Sequence, residues 1–321
     1  METADSAEVQ SPDRSIRRWL GTIARLAATL GLMAYALSGV DLARFRETML
    51  RADWRWWVAG LAIGLATQVV AGIRWAALAR PLGFSLSRAA FVWRFFEGSF
   101  FSLCLPSSIG GDVFKAYRIG DTTQRRLLAG CTVLADRLTG LAALGVLGGT
   151  AFIAGQRHLG LPAAGAVAAA LMAAAWAAFR LGVGSLDRLL AVVPAAHPAR
   201  EFIGRLLPYQ RQPGLMTHAL GWSLIVQAGG AVSVALAARA LGIAQPLTVW
   251  FSVVPLVALA VVLPISINGV GVRENALAVL LKPHGVAPET AVALGLLWLG
   301  ISVVTGLVGG VLFLADRAAE T

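Results

Sequence analysis

The sequence predicts an all-α integral membrane protein with about six transmembrane helices and two re-entrant helical hairpins, arranged as an inverted repeat. Hydrophobic residues make up 57% of the chain and charged residues only 14%, unlike the composition of soluble globular proteins. Several apolar runs are long enough to cross a bilayer. Two shorter apolar runs are each interrupted by Pro and Gly, where a spanning helix would not continue undisturbed.

The net charge of +10 is not taken to indicate nucleic-acid binding. Arg and Lys cluster in short connections between apolar runs, as in the cytoplasmic loops of membrane proteins. We therefore predict a multi-pass protein of the cell inner (plasma) membrane with both termini in the cytoplasm. Cys104 and Cys131 lack metal-ligand spacing, so neither a metal site nor a disulfide framework is expected.

One membrane domain is predicted over residues 19–316, between a polar cytoplasmic tail at 1–18 and a short cytoplasmic tail at 317–321. The first apolar run, residues 19–39, has two interpretations. Its length favours an uncleaved anchor, whereas the small-residue pair Ala34 and Ala36 resembles a signal-peptide cleavage site. The further spans are predicted at residues 54–79, 127–152, 162–179, 215–240 and 289–314.

The two interrupted runs are predicted to form re-entrant hairpins at about residues 89–119 and 248–281. The apolar part of each is too short for a hydrocarbon core of ~30 Å. A full crossing by the first run would also place its following basic residues outside, opposite to the preceding basic stretch. The predicted turn residues are Pro106, Gly110 and Gly111 in the first hairpin, and Pro264, Asn268, Gly269 and Gly271 in the second.

The two turns repeat one pattern, LP-x-SI-x-G, as LPSSIGG from Leu105 and LPISING from Leu263. Interrupted apolar segments at corresponding places in two halves of a membrane chain are typical of transporters with inverted repeats. In such proteins the half-helices enter from opposite faces and meet near the middle of the membrane. The sequence therefore predicts a binding site between the two hairpins.

Three motifs occur in a fixed order: LPSSIGGDVFKAYRI, then VLADRLTGL, then LPISINGVGVREN. Together they resemble the family named for the lysylphosphatidylglycerol synthase transmembrane region, which includes the flippase half of the multiple-peptide-resistance factor. Lys115 stands where an Arg is usual, Asp136 where a Glu is usual, and Asn268 where a Gly is usual. The departures affect expected lipid specificity more than fold, because Lys lacks the bidentate geometry of Arg.

The resemblance implies a lipid translocase, which moves a phospholipid or isoprenoid-linked lipid with an anionic or zwitterionic headgroup. The alternative is a non-transporting accessory protein that holds an envelope-lipid or glycolipid biosynthetic enzyme through the connection at residues 188–211. No catalytic constellation, metal cluster, cofactor motif or soluble synthase domain is expected, so we predict a protein that is not an enzyme. Membrane lipids are the expected partners, and the sequence makes no prediction of oligomeric state.

Ionisable residues within the apolar segments are the candidate site residues, because charges at membrane depth are costly and mostly functional. We expect Arg273, Arg137 and Lys115 to bind the headgroup. The expected charge partners are Asp112, Asp136, Glu274 and Glu97.

Several pairings remain open at this stage. Asp136 either pairs with Arg137 or neutralises another cation, and Asp112 is either a helix cap or a ligand. Glu97 is expected to pair with Arg94 three residues before it. For Arg273 we expect neutralisation by Glu274, Asp112 or Asp136.

Overall fold

The computed structural model describes residues 12–105, 110–154, 185–194, 197–262 and 265–320, with single positions between 166 and 177. Over these ranges the secondary structure is helical, and the all-α prediction is confirmed. The helices are α1 (Pro12–Ser38), α2 (Leu42–Leu50), α3 (Trp54–Ala79), α4 (Arg88–Cys104), α5 (Gly110–Ile119), α6 (Thr123–Ala154), α7 (Leu186–Val192), α8 (Pro198–Arg211), α9 (Pro213–Ala240), α10 (Leu247–Val262), α11 (Val272–Leu281) and α12 (Pro288–Glu320).

Four of the described helices are long and apolar enough to cross a membrane: α3, α6, α9 and α12. They coincide with four of the predicted spans. The helices α1 and α2 meet at 91° and would count as a fifth if the bent pair is one span. The predicted span at residues 162–179 lies largely outside the described residues, so the total of six remains a prediction.

Each of the two predicted hairpin segments contains two packed helices, and their re-entrant course in the membrane remains a prediction. The first hairpin consists of α4 and α5, and the second of α10 and α11, with the two helices of each hairpin packed together. With 17 residues in α4 and 16 in α10, both legs are shorter than a membrane span. In the first hairpin the legs meet at two glycines, since a Cβ added to Gly111 would lie 2.1 Å from the carbonyl oxygen of Gly98.

The predicted turn residues divide into three groups. Pro106 and Pro264 lie outside the described residues. Gly110 and Gly111 are the first residues of α5 instead of loop residues, a correction to the prediction. In the second hairpin, three residues have left-handed backbone angles and form the expected turn: Asn268 (φ 53°), Gly269 (φ 71°) and Gly271 (φ 82°).

The helix packing follows a two-fold pattern that supports the predicted repeat. The central pair is α3 and α9, the helices that precede the two hairpins. The leg α4 of the first hairpin packs on α12, and the corresponding leg α10 packs on α6. Each hairpin thus lies against the long helix that closes the other half, as a two-fold axis between α3 and α9 would require.

Glycines on α6 and α12 allow the hairpin helices α10 and α4 to pack closely against them. A Cβ on Gly309 of α12 would lie 1.9 Å from the carbonyl oxygen of Phe96 on α4. On α6, a Cβ on Gly148 would lie 3.1 Å from the Cβ of Pro255 on α10. Small residues allow helix backbones to approach closely within a membrane. The glycines belong to GVLGG (145–149) and GLVGG (306–310), a second pair of similar motifs at corresponding places in the two halves.

Candidate functional site

A cavity of about 1110 Å³ lies between the two hairpins. Its wall includes charged or aromatic residues from both hairpins, from α6 and from α12, namely Asp112, Tyr117, Arg137, Arg273 and Trp298. Small hydroxyl side chains line the wall between them: Ser99, Ser102, Ser302 and Thr305. The structure thus brings the two hairpins together around one space, as the sequence predicts.

Arg273 follows directly on the glycine turn, in the first turn of α11. Its side chain lines the cavity although the residue is only 6% exposed. One nitrogen, Nη2, donates to the carbonyl oxygen of Asn268 at 3.3 Å, and the guanidinium lies 5.2 Å from the ring centre of Trp298. The other two nitrogens, Nε and Nη1, have no hydrogen-bond partner among the described residues.

Arg273 has no salt bridge to any of its three expected carboxylate partners within the described part of the chain, although the charge of the neighbouring Glu274 interacts with its guanidinium. Glu274 is fully buried, but its Oε2 accepts the backbone N–H of Gly271 at 2.6 Å. This is a capping contact, which places a carboxylate at the positive end of α11. Asp112 and Asp136 pair with other cations, so Arg273 has no ion pair within the described residues.

Asp112 joins the other two predicted headgroup ligands. Its Oδ1 lies 2.7 Å from Nζ of Lys115, and its Oδ2 accepts from Nε of Arg137 at 2.7 Å. Lys115 is buried, with its ammonium 4.5 Å from the ring centre of Phe95. Arg137, in contrast, keeps 54% of its side chain exposed. Asp112 is therefore the shared counter-ion of Lys115 and Arg137, and Arg137 is the more accessible of the two cations.

Asp136 faces away from this group. Its Oδ1 accepts from Nε of Arg74 at 2.7 Å, and Nη1 of Arg74 donates to Oγ of Ser223 at 2.9 Å. The prediction that Asp136 pairs with Arg137 is therefore wrong, and the alternative, that Asp136 neutralises a different cation, is confirmed. Because the contact joins α3, α6 and α9 in the interior, Asp136 holds the helices together instead of lining the cavity.

Glu97 pairs with Arg94 at 2.7 Å, as predicted from their spacing. The structure adds two members to this pair. Arg94 also lies 2.7 Å from Asp316 at the end of α12, and Arg118 contacts both Asp316 and Glu97. The four charges tie the first hairpin to the helix that closes the second half. The sequence shows no sign of this link, because Asp316 is 222 residues from Arg94.

Two contacts connect the first helix to the second hairpin. Oγ1 of Thr29 accepts the backbone N–H of Ile267 at 2.9 Å, and Nδ2 of Asn275 donates to the carbonyl oxygen of Leu32 at 2.8 Å. A Cβ on Gly271 would lie 2.6 Å from the Cβ of Leu32, so α1 approaches the turn closely. Helix α1 therefore packs against the turn of the second hairpin, and its retention as an uncleaved anchor remains a prediction.

A family model described as the lysylphosphatidylglycerol synthase TM region matches residues 22–310. The match includes both hairpins, the cavity and all the charged residues described above except Asp316. Neither a curated protein nor a solved structure matches the chain. The chain belongs to the lysylphosphatidylglycerol synthase transmembrane region family, and it is a multi-pass membrane protein of lipid metabolism or transport.

Proposed function

We propose that the protein is a lipid translocase of the inner membrane, and that the cavity between the hairpins carries the headgroup. The observation that supports this most is Arg273, a buried guanidinium that lines the cavity with Nε and Nη1 unpartnered among the described residues. The protein then binds and releases a headgroup and performs no bond-breaking chemistry.

An arginine without a salt bridge at membrane depth is unfavourable, because even the lower insertion scales give a free-energy cost of about 2.5–3.5 kcal/mol at the bilayer centre. A structural arginine would be expected to have a carboxylate, as Arg74 has in Asp136. A phosphate provides the missing partner for Arg273, because its oxygens accept from two guanidinium nitrogens at once.

The wall of the cavity on α5 and α6 supports a place for the lipid tails. Four apolar or aromatic side chains line the cavity there and are also strongly exposed: Val113, Tyr117, Leu127 and Leu134. In a membrane protein such side chains contact hydrocarbon. These side chains support a cavity that is open sideways to the bilayer, in which an amphiphile would keep its tails in the membrane while its headgroup meets Arg137 and Arg273.

Reconstitution into vesicles with a panel of labelled phospholipids and isoprenoid phosphates tests the proposal. We expect the purified wild-type protein to move at least one phosphate-bearing headgroup without other proteins. Arg273→Lys should insert and fold but lose about tenfold or more in rate, because the charge remains while the planar fork is lost. Arg74→Lys is the matched control, since Arg74 is equally buried but paired.

The control variant should lower thermal stability and leave the rate per folded molecule close to wild type. A folded Arg273→Lys protein with an undiminished rate would show that Arg273 is a structural charge. Failure of the wild-type protein to move any lipid of the panel would remove the translocase proposal and leave the accessory role.

The accessory alternative depends on a free surface in the connection that contains α8. Part of that helix is already engaged: Phe202 and Leu206 pack on the apolar cluster around Trp75, and the Tyr209 hydroxyl donates to the carbonyl oxygen of Leu78 at 2.7 Å. Burial raises the pKa of Tyr209, so this hydroxyl stays protonated. The helix α8 is thus docked on its own membrane domain, which supports the translocase more than a partner-binding loop.

A further inference from the structure

We infer that Asn268 is a positioning residue that joins the turn of the second hairpin to the end of α4 in the first. Through this contact it couples headgroup binding at Arg273 to the separation of the two hairpins. The inference rests on the proposed function. It concerns a residue for which sequence reasoning predicted only a turn. The same residue makes one contact with each hairpin, through different groups.

The side chain of Asn268 makes the contact to the first hairpin. Its Nδ2 donates to the carbonyl oxygen of Leu103 at 3.2 Å, across 165 residues of sequence. Leu103 lies in the last turn of α4, where carbonyl groups have no partner within the helix. The hydrogen bond thus supplies a partner for the end of α4 and holds it against the turn of the second hairpin beside the cavity.

The backbone of Asn268 makes the contact within the second hairpin. Its carbonyl oxygen accepts Nη2 of Arg273 at 3.3 Å, which fixes the guanidinium on one side only. A phosphate that binds at the free Nε and Nη1 pulls on the same guanidinium. Movement of Arg273 towards the phosphate therefore displaces the backbone of Asn268, the residue whose side chain holds Leu103.

The backbone conformation explains why this residue type can do both. Asn268 has φ 53° and ψ 22°, a left-handed conformation that Gly, Asn and Asp adopt most readily. Glycine would form the turn without an amide to donate. An ionised aspartate would present an oxygen to the oxygen of Leu103. Among these three residues, only Asn forms both the turn and the link.

The first test compares Asn268→Gly with Asn275→Ala in the vesicle assay. Asn268→Gly keeps the turn and removes the link, so headgroup movement should become roughly three- to tenfold faster, the factor that one net hydrogen bond supplies. Asn275→Ala removes amide hydrogen bonds from the same hairpin to Leu32 of α1 and to the carbonyl oxygen of Gly271, but no contact with the first hairpin, and its rate should not change. An unchanged or slower Asn268→Gly protein, or an equal acceleration in both variants, would overturn the inference.

The second test uses the native Cys104, which follows Leu103, in a protein with Cys131→Ala and Asn268→Cys. We expect a short bifunctional thiol reagent to link positions 104 and 268 and to stop headgroup movement, with recovery when the link is cleaved. Transport that continues through the linked protein would overturn the inference, as would the absence of a link. The link is read on a gel without transport, so a wild-type protein that moves no lipid is recognised separately as a failure of the proposed function.

Discussion

At the scale of single residues, Arg74 and Arg273 show how a buried arginine can serve two purposes. Their exposures are 5% and 6%, so burial does not distinguish them. Arg74 is held by Asp136 and Ser223 from two other helices, whereas among the described residues Arg273 contacts a carbonyl oxygen and a tryptophan ring and forms no salt bridge with the nearby Glu274. Two hydrogen bonds and an ion pair fix the first side chain, and the unpartnered Nε and Nη1 of the second leave it able to bind an anion.

Asp136→Asn should lower the free energy of unfolding by about 3–5 kcal/mol, because it leaves the guanidinium of Arg74 buried without a counter-charge. The ten tryptophans allow unfolding in detergent to be followed by fluorescence. Arg137→Gln is the control: its partner Asp112 keeps Lys115, so a smaller loss of stability is expected. Equal stability of Asp136→Asn and wild type would show that the Arg74 contact adds nothing to the fold.

At the scale of elements, the close approach of α4 and α12 depends on Gly309. A methyl group there meets the backbone of Phe96, and backbone cannot move aside as a flexible side chain can. Gly309→Ala should therefore push the hairpin from α12 and reduce both the yield of folded protein and its unfolding temperature. Gly145→Ala is the control in the related motif, because nothing lies within 4 Å of a Cβ at Gly145. Similar yields for the two variants would contradict the packing described for α4 and α12.

The helices were predictable because each is encoded by its own stretch of sequence. The prediction for the second span, residues 54–79, has the bounds of α3, since the apolar run and the flanking Asp53 and Arg80 mark its ends. The pair Arg94–Glu97 was predictable for the same local reason. Contacts between distant residues were not. Asp136 meets a cation 62 residues away, and no periodicity in one helix identifies the partner on another.

At the scale of the whole molecule, the two halves share an architecture but differ in the charges of their hairpins. The first hairpin carries Asp112, Lys115 and Glu97, all within ion pairs. The second carries Arg273, which lacks an ion pair in the described structure, and Glu274, whose Oε2 accepts a backbone N–H. The two similar hairpins therefore both contribute to the wall of the cavity. Their different charges leave unpartnered guanidinium nitrogens on the side of the second hairpin.

If the halves are inverted repeats, the ends of the two hairpins emerge on opposite faces of the membrane. Asp121 follows the first hairpin and His284 follows the second, and both are exposed. With Cys104 and Cys131 replaced, Asp121→Cys should react with an impermeant thiol reagent only from the cytoplasm, and His284→Cys only from outside. The basic residues beside Asp121 support this assignment through the positive-inside rule. Labelling of position 121 from outside alone would make α4 and α5 a membrane crossing, and the headgroup path between two re-entrant tips would have to be abandoned.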